Sequence, residues 1–403
     1  VSATVDRDLR ERAARLSVAF DGDAWILGRP DLGIFVAVPE PGAVFVTTLQ
    51  EGGSAAEAAR RAGEVAGEEV DGADFLEGLT GAGLLDPPAP AEERAPSGWI
   101  EGLSQKTAAR FFGKTAWSCY VAAAVFVVAV LVFTPELRPS WKDAWFLPSA
   151  TLSVLTYLLA GIAFSALHEA WHWVAGRALG IPATFRVSYR GLYIVFETDL
   201  TQIVNVPRGR RYGAYLAGMA IDAVVVAVAL GLRLLDRAGV LALPETLDGF
   251  LGAVVLYRLI GIVWQWAAVP MRSDGYAVLA NALRCYNLYR ITWLTAKAKL
   301  FRLTPAEAGE LASAGERDRR VARWFALLYA AGVVVMAGMF VLVALPLLLA
   351  LAQWGMVQLS VGAIGSAGFW EALAVAAYVV TQLALPPLLA LRERRLRRAG
   401  RLL

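Results

Sequence analysis

From Trp324 to Trp370 the chain runs 47 residues without an acidic or basic side chain. Soluble domains carry about 25% charged residues spread along the sequence, so a gap of this length calls for a hydrocarbon surrounding. There every backbone N–H and C=O must bond within the protein, which leaves helices or closed barrels. Residues 116–135 and 144–167 are further uncharged runs of 20 and 24 residues, each long enough to cross a ~30 Å apolar core as a helix. Residues 212–232 and 249–271 read the same way, except that each carries one ion, Asp222 and Arg258. The long uncharged stretch predicts a fifth span over 324–351 followed by an uncharged loop, and 372–391 predicts a sixth. The expectation is a mainly α, polytopic α-helical membrane protein with about six spans. The overall 57% hydrophobic and 18% charged composition agrees and excludes an ordinary soluble enzyme.

The cations predict the orientation. With the N-terminus inside, 33 of the 38 Lys and Arg residues fall on the inner side, as the positive-inside rule requires. A multi-pass cell-membrane protein with both termini cytoplasmic follows, the Arg392–Arg401 cluster sitting at the inner leaflet. No signal peptide is visible, because soluble sequence precedes the first span. The two cysteines, Cys119 and Cys285, are expected as unpaired thiols.

Residues 1–86 read as a separate soluble unit. Residues 25–27 and 34–38 are β-prone and flank Gly28-Arg29-Pro30-Asp31, a hairpin signal. Residues 42–51 predict a helix, Ser54-x-x-Glu57 opens another with capping-box spacing, and 71–85 predict a third. A strand pair with three short helices is a small winged-helix-like α+β unit. The proline-rich stretch that follows makes 87–114 a linker, leaving 115–403 as the membrane domain.

His168-Glu169-Ala170-Trp171-His172 contains both histidines of the chain. Two histidines placed at random in such a chain fall four apart about once in two hundred arrangements. On a helix, positions four apart share a face, so both imidazoles can reach one Zn²⁺ while Glu169 stands beside them as a proton carrier. A bilayer-spanning helix is also an expensive place for polar side chains without a purpose. With no other histidine, the third protein ligand is expected to be a carboxylate near the inner ends of the spans. Asp274 in Ser273-Asp274-Gly275-Tyr276 fits, since the fourth predicted span ends there. Glu197 and Asp199 in the inner loop are weaker candidates. Asp222, about ten residues or ~15 Å into its predicted span, is too deep for the ion and is expected to pair with Arg258 as a structural intramembrane ion pair. Residues 184–198 alternate enough to predict one or two short strands near the metal, able to hold an extended substrate by main-chain bonding.

This set of motifs resembles the site-2 protease type of intramembrane zinc metalloprotease: the His168-Glu169-x-x-His172 helix, Ala217-Gly218 opening a later one, and Asp274-Gly275 past another. The likeness is closest to the peptide zinc metalloprotease branch and extends over about residues 145–300, including Phe196 through Pro207-Arg208 to Leu216 and Asp274-Gly275-Tyr276 through Asn287-Leu288. It implies zinc held by His168, His172 and Asp274, with Glu169 as catalytic acid and base. The family's substrate- or oxyanion-binding Asn, about eight residues before the Asp, is replaced here by Trp266. The adjacent Gln265 is the expected substitute.

The N-terminal unit resembles the PqqD-like peptide-recognition domains through residues 34–38, 42–51, Ser54-x-x-Glu57 and 71–85. The resemblance implies that a leader peptide adds as a strand to the sheet edge; a dimerisation or regulatory winged helix is the other reading. No basic recognition helix is visible, Arg60 and Arg61 being the only clustered cations there, so nucleic acid is not an expected partner. The function expected is hydrolysis of a peptide bond near the cytoplasmic face, in a ribosomally made precursor peptide or a single-span membrane protein. A non-catalytic receptor, transporter or immunity protein with a structural zinc is the other class, and Trp266 is the residue that favours it.

Overall fold

The computed structural model describes residues 2–22, 24–30, 32, 34–85, 103–190 and 193–398. Most of the expected linker, residues 87–102, lies outside these. The chain divides into two units. One takes in Val1–Ala109, Ala175–Thr184 and Asp199–Ala214; the other Arg110–Val174, Phe185–Thr198 and Tyr215–Leu403.

The first unit opens with α1 (Ser2–Ala13), followed by β1 (Ser17–Phe20), β2 (Trp25–Arg29) and β3 (Ile34–Val38). These strands form an antiparallel sheet in the order β1-β2-β3, with Leu27 opposite both Val18 and Val36. Three helices cover it: α2 (Glu40–Gln50), α3 (Ala55–Ala66) and α4 (Gly72–Gly81). Their starts follow local chemistry. The Ser54 side chain accepts from Glu57 N–H and that of Asp71 from Ala73 and Asp74 N–H, each satisfying donors that a first turn leaves open. Leu27, Val46, Leu79 and Leu84 close the core.

Two elements were not foreseen, α1 and β1. The first is charged without apolar periodicity, and the second is only 4 residues long. Arg29, expected in a hairpin turn, is instead a fully buried strand residue whose Nη1 donates to Leu84 O at 2.9 Å.

The same unit includes α5 (Gln105–Arg110), most of α8 (Arg208–Tyr215) and the 3₁₀ turn Thr201–Asn205. Asp21, in the β1–β2 turn, is buried and bonds two guanidinium groups, Arg208 Nη2 at 2.5 Å and Arg211 Nη2 at 2.8 Å. Burial alone would raise the pKa of this carboxyl. Its hydrogen bonds with Arg208 and the charges of both arginines outweigh that and hold it below the usual carboxylate value.

Among the described residues six helices are long and apolar enough to cross a membrane, Lys114–Phe133, Thr151–Leu179, Ala217–Arg237, Glu245–Ala267, Glu316–Leu342 and Ala367–Arg392, all in the second unit except residues 175–179. In full, the helical elements are α6 (Lys114–Phe133), α7 (Ala150–Leu179), α9 (Ala217–Arg237), α10 (Glu245–Ala267), α11 (Asp274–Ala282), α12 (Leu288–Leu300), α13 (Pro305–Ser313), α14 (Glu316–Met339), α15 (Leu345–Val361) and α16 (Ala367–Arg398). Strands β4 (Thr184–Arg190) and β5 (Tyr193–Asp199) pair with each other, as residues 184–198 led one to expect. The side chains at 185–195 and 197 lie outside the described set.

Val127 and Val130 of α6, Val226 and Leu230 of α9, and Val254 and Val255 of α10 interlock in one cluster. Half of the most apolar stretch of α9 is buried, against 11–28% for the other five, so α9 is the enclosed helix. In lipid such packing rests on close side-chain contact and not on hydrophobic exclusion.

Three expectations about the spans need correction. Helix α7 starts at Ala150, not 144, and continues to Leu179, so His168 lies about 17 Å before its end and not at its inner terminus. Helix α9 starts at Ala217 after a separate short helix, whereas the apolar run pointed to 212. The uncharged loop expected after 351 is helix to Val361, reached through a π-helical segment, Phe340–Ala344. Cys119 and Cys285 make no disulfide.

Replacing Asp21 by Asn leaves two guanidinium groups facing a neutral amide in a buried site. A local loss of about 3–5 kcal/mol is expected, read as faster amide hydrogen exchange in 199–211 of the intact protein. Because the folded-state pKa of Asp21 is lowered, its contribution is complete above the unfolded value of about 3.9 and drains away as pH falls through the lower one. Protection relative to the intrinsic exchange rate is therefore expected to fall in wild type on acidification below about pH 4 and to show no such fall in the variant.

Candidate metal centre

His168 and His172 occupy one face of α7, one turn apart, and both are buried. An adjoining face is tied to α6. Trp171 Nε1 donates to Tyr120 Oη at 3.0 Å, and Tyr120 Oη donates to Phe111 O at 3.1 Å. These bonds set the rotation of α7 and so the direction its imidazoles face.

Asp274 arrives from a different element. At the end of α10 the chain makes the 3₁₀ turn Val269–Met271, and Arg272 takes a left-handed conformation with φ 52°. Its guanidinium rests 4.1 Å over the Tyr289 ring, a cation–π contact that fixes this residue where a side chain is strained. Ser273 then caps α11, its Oγ accepting from Tyr276 N–H at 3.4 Å and donating to Gln265 O at 2.6 Å. Asp274 is the first residue of α11, and its backbone N–H donates to Gln265 Oε1 at 3.1 Å. A Cβ on Gly275 would lie 2.4 Å from Gln265 O. The glycine of the Asp-Gly pair thus allows α11 to approach the end of α10 closely; its φ is not positive, so no turn geometry demands it.

The three side chains converge. His168 Nε2 and His172 Nε2 are 3.3 Å apart, and each is 3.0 Å from Asp274 Oδ2. Donors of a tetrahedral ion bound at about 2.0–2.1 Å stand about 3.3 Å from one another, so the triangle has the right edges for zinc. The chemistry of the set agrees. Two imidazole nitrogens and a carboxylate oxygen pointed at one spot repel through their lone pairs unless a cation or protons lie among them. Burial would raise the pKa of Asp274, but the facing imidazoles hold it below the usual carboxylate range. Among the described residues, no other trio of His, Cys, Asp or Glu forms such a group.

Gly218 makes room for the triangle. A Cβ there would fall 2.2 Å from His168 Nε2 and 2.3 Å from Cε1. The second residue of α9 must therefore be bare for the ring to keep its place.

Glu169, the next residue on α7, is held from β5: Thr198 Oγ1 lies 2.8 Å from Glu169 Oε2 and 2.9 Å from its main-chain O. Asp222 Oδ2 is 2.8 Å from His168 Nδ1, and Asp222 Oδ1 is 3.3 Å from Arg258 Nη1. Asp199 is not in the donor group; its Oδ1 accepts from Thr201 N–H at 2.9 Å and caps the following turn. The Glu197 side chain lies outside the described residues. Trp266, at the position of the expected Asn, is 45% exposed.

Sequence reasoning thus named the residues that converge but missed the groups that hold them. Asp222 was set aside as too deep because α9 was expected to start at 212. It starts at Ala217, which places Asp222 only about 8 Å along the helix, level with His168. Thr198, at the end of a predicted strand, and Ser273, just before the Asp-Gly pair, are small hydroxyl residues that carried no signal of their own. Comparison with protein-family models, curated proteins and solved structures gives no match to the chain, so its resemblance to the zinc metalloproteases rests on the motif residues themselves.

Replacing Gly218 by Ala is expected to displace the His168 ring and lower zinc affinity at least about tenfold, measured by competition with a chromophoric chelator. The helical content by circular dichroism is expected to stay unchanged, since Ala favours helix over Gly.

Proposed function

We propose that this chain is a membrane-embedded zinc peptidase that hydrolyses a peptide bond at the cytoplasmic face. The observation that carries the reading is the His168–His172–Asp274 triangle, its two imidazoles buried, with the Glu169 carboxylate beside it. His168, His172 and Asp274 are the residues that would hold the ion. Zinc, when bound, supplies a Lewis acid that polarises a carbonyl and makes water acidic enough to lose a proton near neutral pH.

Glu169 takes the proton of the attacking water and returns it to the leaving amine. Thr198, engaged with Oε2, holds the carboxylate so that its other oxygen does this work. Because Thr198 sits at the end of β5, the base is tied to the strand pair against which an extended substrate adds by main-chain hydrogen bonds. An extended form is needed because a helical substrate shields its own amides. Gln265 commits its Oε1 to Asp274 N–H, which leaves its Nε2 end as the donor toward a substrate carbonyl.

Among the described residues the group has three protein donors, the number a catalytic site uses, where a structural site closes with four. The six apolar helices support a multi-pass protein with the lipid bilayer as its surrounding, and the distribution of Lys and Arg favours the cell membrane with both termini cytoplasmic. The N-terminal sheet unit acts as a PqqD-like module whose edge strand takes a leader peptide. The substrate is accordingly a ribosomally made precursor peptide or a single-span membrane protein, with no role for nucleic acid.

The test is Glu169→Gln in purified full-length protein, incubated with small precursor peptides encoded beside the gene and analysed by mass. The variant is expected to retain zinc and to cleave about 10²–10⁴-fold more slowly. Cleavage at the wild-type rate would end the proposal.

A further inference from the structure

The Asp222–Arg258 pair is more than a membrane-buried salt bridge. We infer that Asp222 is a positioning residue of the metal centre, holding His168 in the one tautomer that can ligate a cation, with Arg258 holding Asp222 in turn. This rests on the metal-binding part of the reading above.

A neutral imidazole has one N–H and one lone pair, and which nitrogen carries which is decided by its neighbours. His168 Nε2 faces His172 and Asp274, so it must present the lone pair for the triangle to bind a cation. Its Nδ1 lies 2.8 Å from Asp222 Oδ2. An ionised carboxylate accepts and never donates; it therefore draws the imidazole proton to Nδ1 and leaves Nε2 open. Asp222 is 4% exposed, and its second oxygen receives Arg258 Nη1 at 3.3 Å, so the carboxylate keeps its direction. Arg258 in turn lies 5.6 Å over the Phe164 ring of α7, one turn before His168.

The register of α9 strengthens the assignment. Gly218 and Asp222 are four apart and share a helix face, and both address the same ring. The glycine leaves space against Nε2 and Cε1, while the aspartate anchors Nδ1. A pair kept only for stability would be hard to explain, because buried ion pairs are commonly matched or bettered by apolar side chains of similar size. Nor would it need to lie within hydrogen-bond reach of a ligand nitrogen.

The experiment compares wild type, Asp222→Asn and the double variant Asp222→Leu/Arg258→Met, each full-length in detergent. The probes are zinc affinity by chelator competition, the visible d–d spectrum of the cobalt-loaded protein, and thermal stability. The double variant removes both charges together but leaves His168 Nδ1 without its acceptor, so it is expected to melt below wild type while keeping its fold, and to bind zinc about 10–100-fold more weakly, with an altered cobalt spectrum. Asp222→Asn is expected to lose affinity in the same direction, since its amide can turn an N–H toward Nδ1 and admit the wrong tautomer. A double variant with wild-type zinc affinity and cobalt spectrum would reduce the pair to a structural salt bridge and overturn the inference. Should the double variant not fold, wild-type affinity and spectrum in Asp222→Asn overturn it equally. Wild-type protein that takes up neither ion would remove the metal centre itself, a distinct failure that takes the peptidase reading with it.

Discussion

An imidazole buried in a helix bundle must have both of its nitrogens engaged, since an unsatisfied polar group away from water costs several kcal/mol. His168 meets this requirement on two sides at once, through Asp222 at Nδ1 and through Asp274 and His172 at Nε2. That single ring therefore brings together α7, α9 and the start of α11, and through Arg258 it also involves α10. The remaining polar contacts of the centre serve these four elements: Trp171 on Tyr120 sets the rotation of α7, and Ser273 with Gln265 sets the entry of α11.

Close approach is the second condition, and two glycines meet it. Gly218 lets α9 pass against the edge of the His168 ring, and Gly275 lets α11 pass against the carbonyl of Gln265. Neither has a positive φ, so each is required for volume and not for backbone freedom. This is common at helix contacts in lipid, where small residues allow packing that a hydrophobic drive cannot supply. Here the same device brings the side chains of His168, His172 and Asp274 within 3.0–3.3 Å of one another. The N-terminal unit solves a comparable problem with charge: Asp21 gathers Arg208 and Arg211 out of water, which ties the β1–β2 turn to the segment that follows β5.

Much of the architecture was legible in the sequence because the bilayer constraint acts locally. Apolar runs of about 20 residues are each long enough to cross a bilayer as a helix, so the six long helices could be counted without knowing how they pack. Span boundaries were less legible. Residues 212–216 are as compatible with a helix as those after them, and only packing decides that one helix stops at Tyr215 and another opens at Ala217. The continuation to Val361 was hidden for a related reason: absence of charge marks a stretch as apolar without distinguishing a helix from a loop. In the N-terminal unit the capped helices were legible through Ser54 and Asp71, whereas β1 and α1 are held by long-range contacts and offered no periodicity.

His168 and His172 had to share a face, because a helix repeats every 3.6 residues and the two stand four apart; this much the sequence determined alone. Asp274 was legible by its place after a span and by the company of Gly275. What only the tertiary structure decided is which groups turn those side chains toward one point. Thr198 reaches Glu169 from 29 residues away, and Asp222 reaches His168 from 54 away. Such bonds depend on helix register and interhelical distance, and a slip of one residue in α9 would rotate Asp222 about 100° from the ring it anchors.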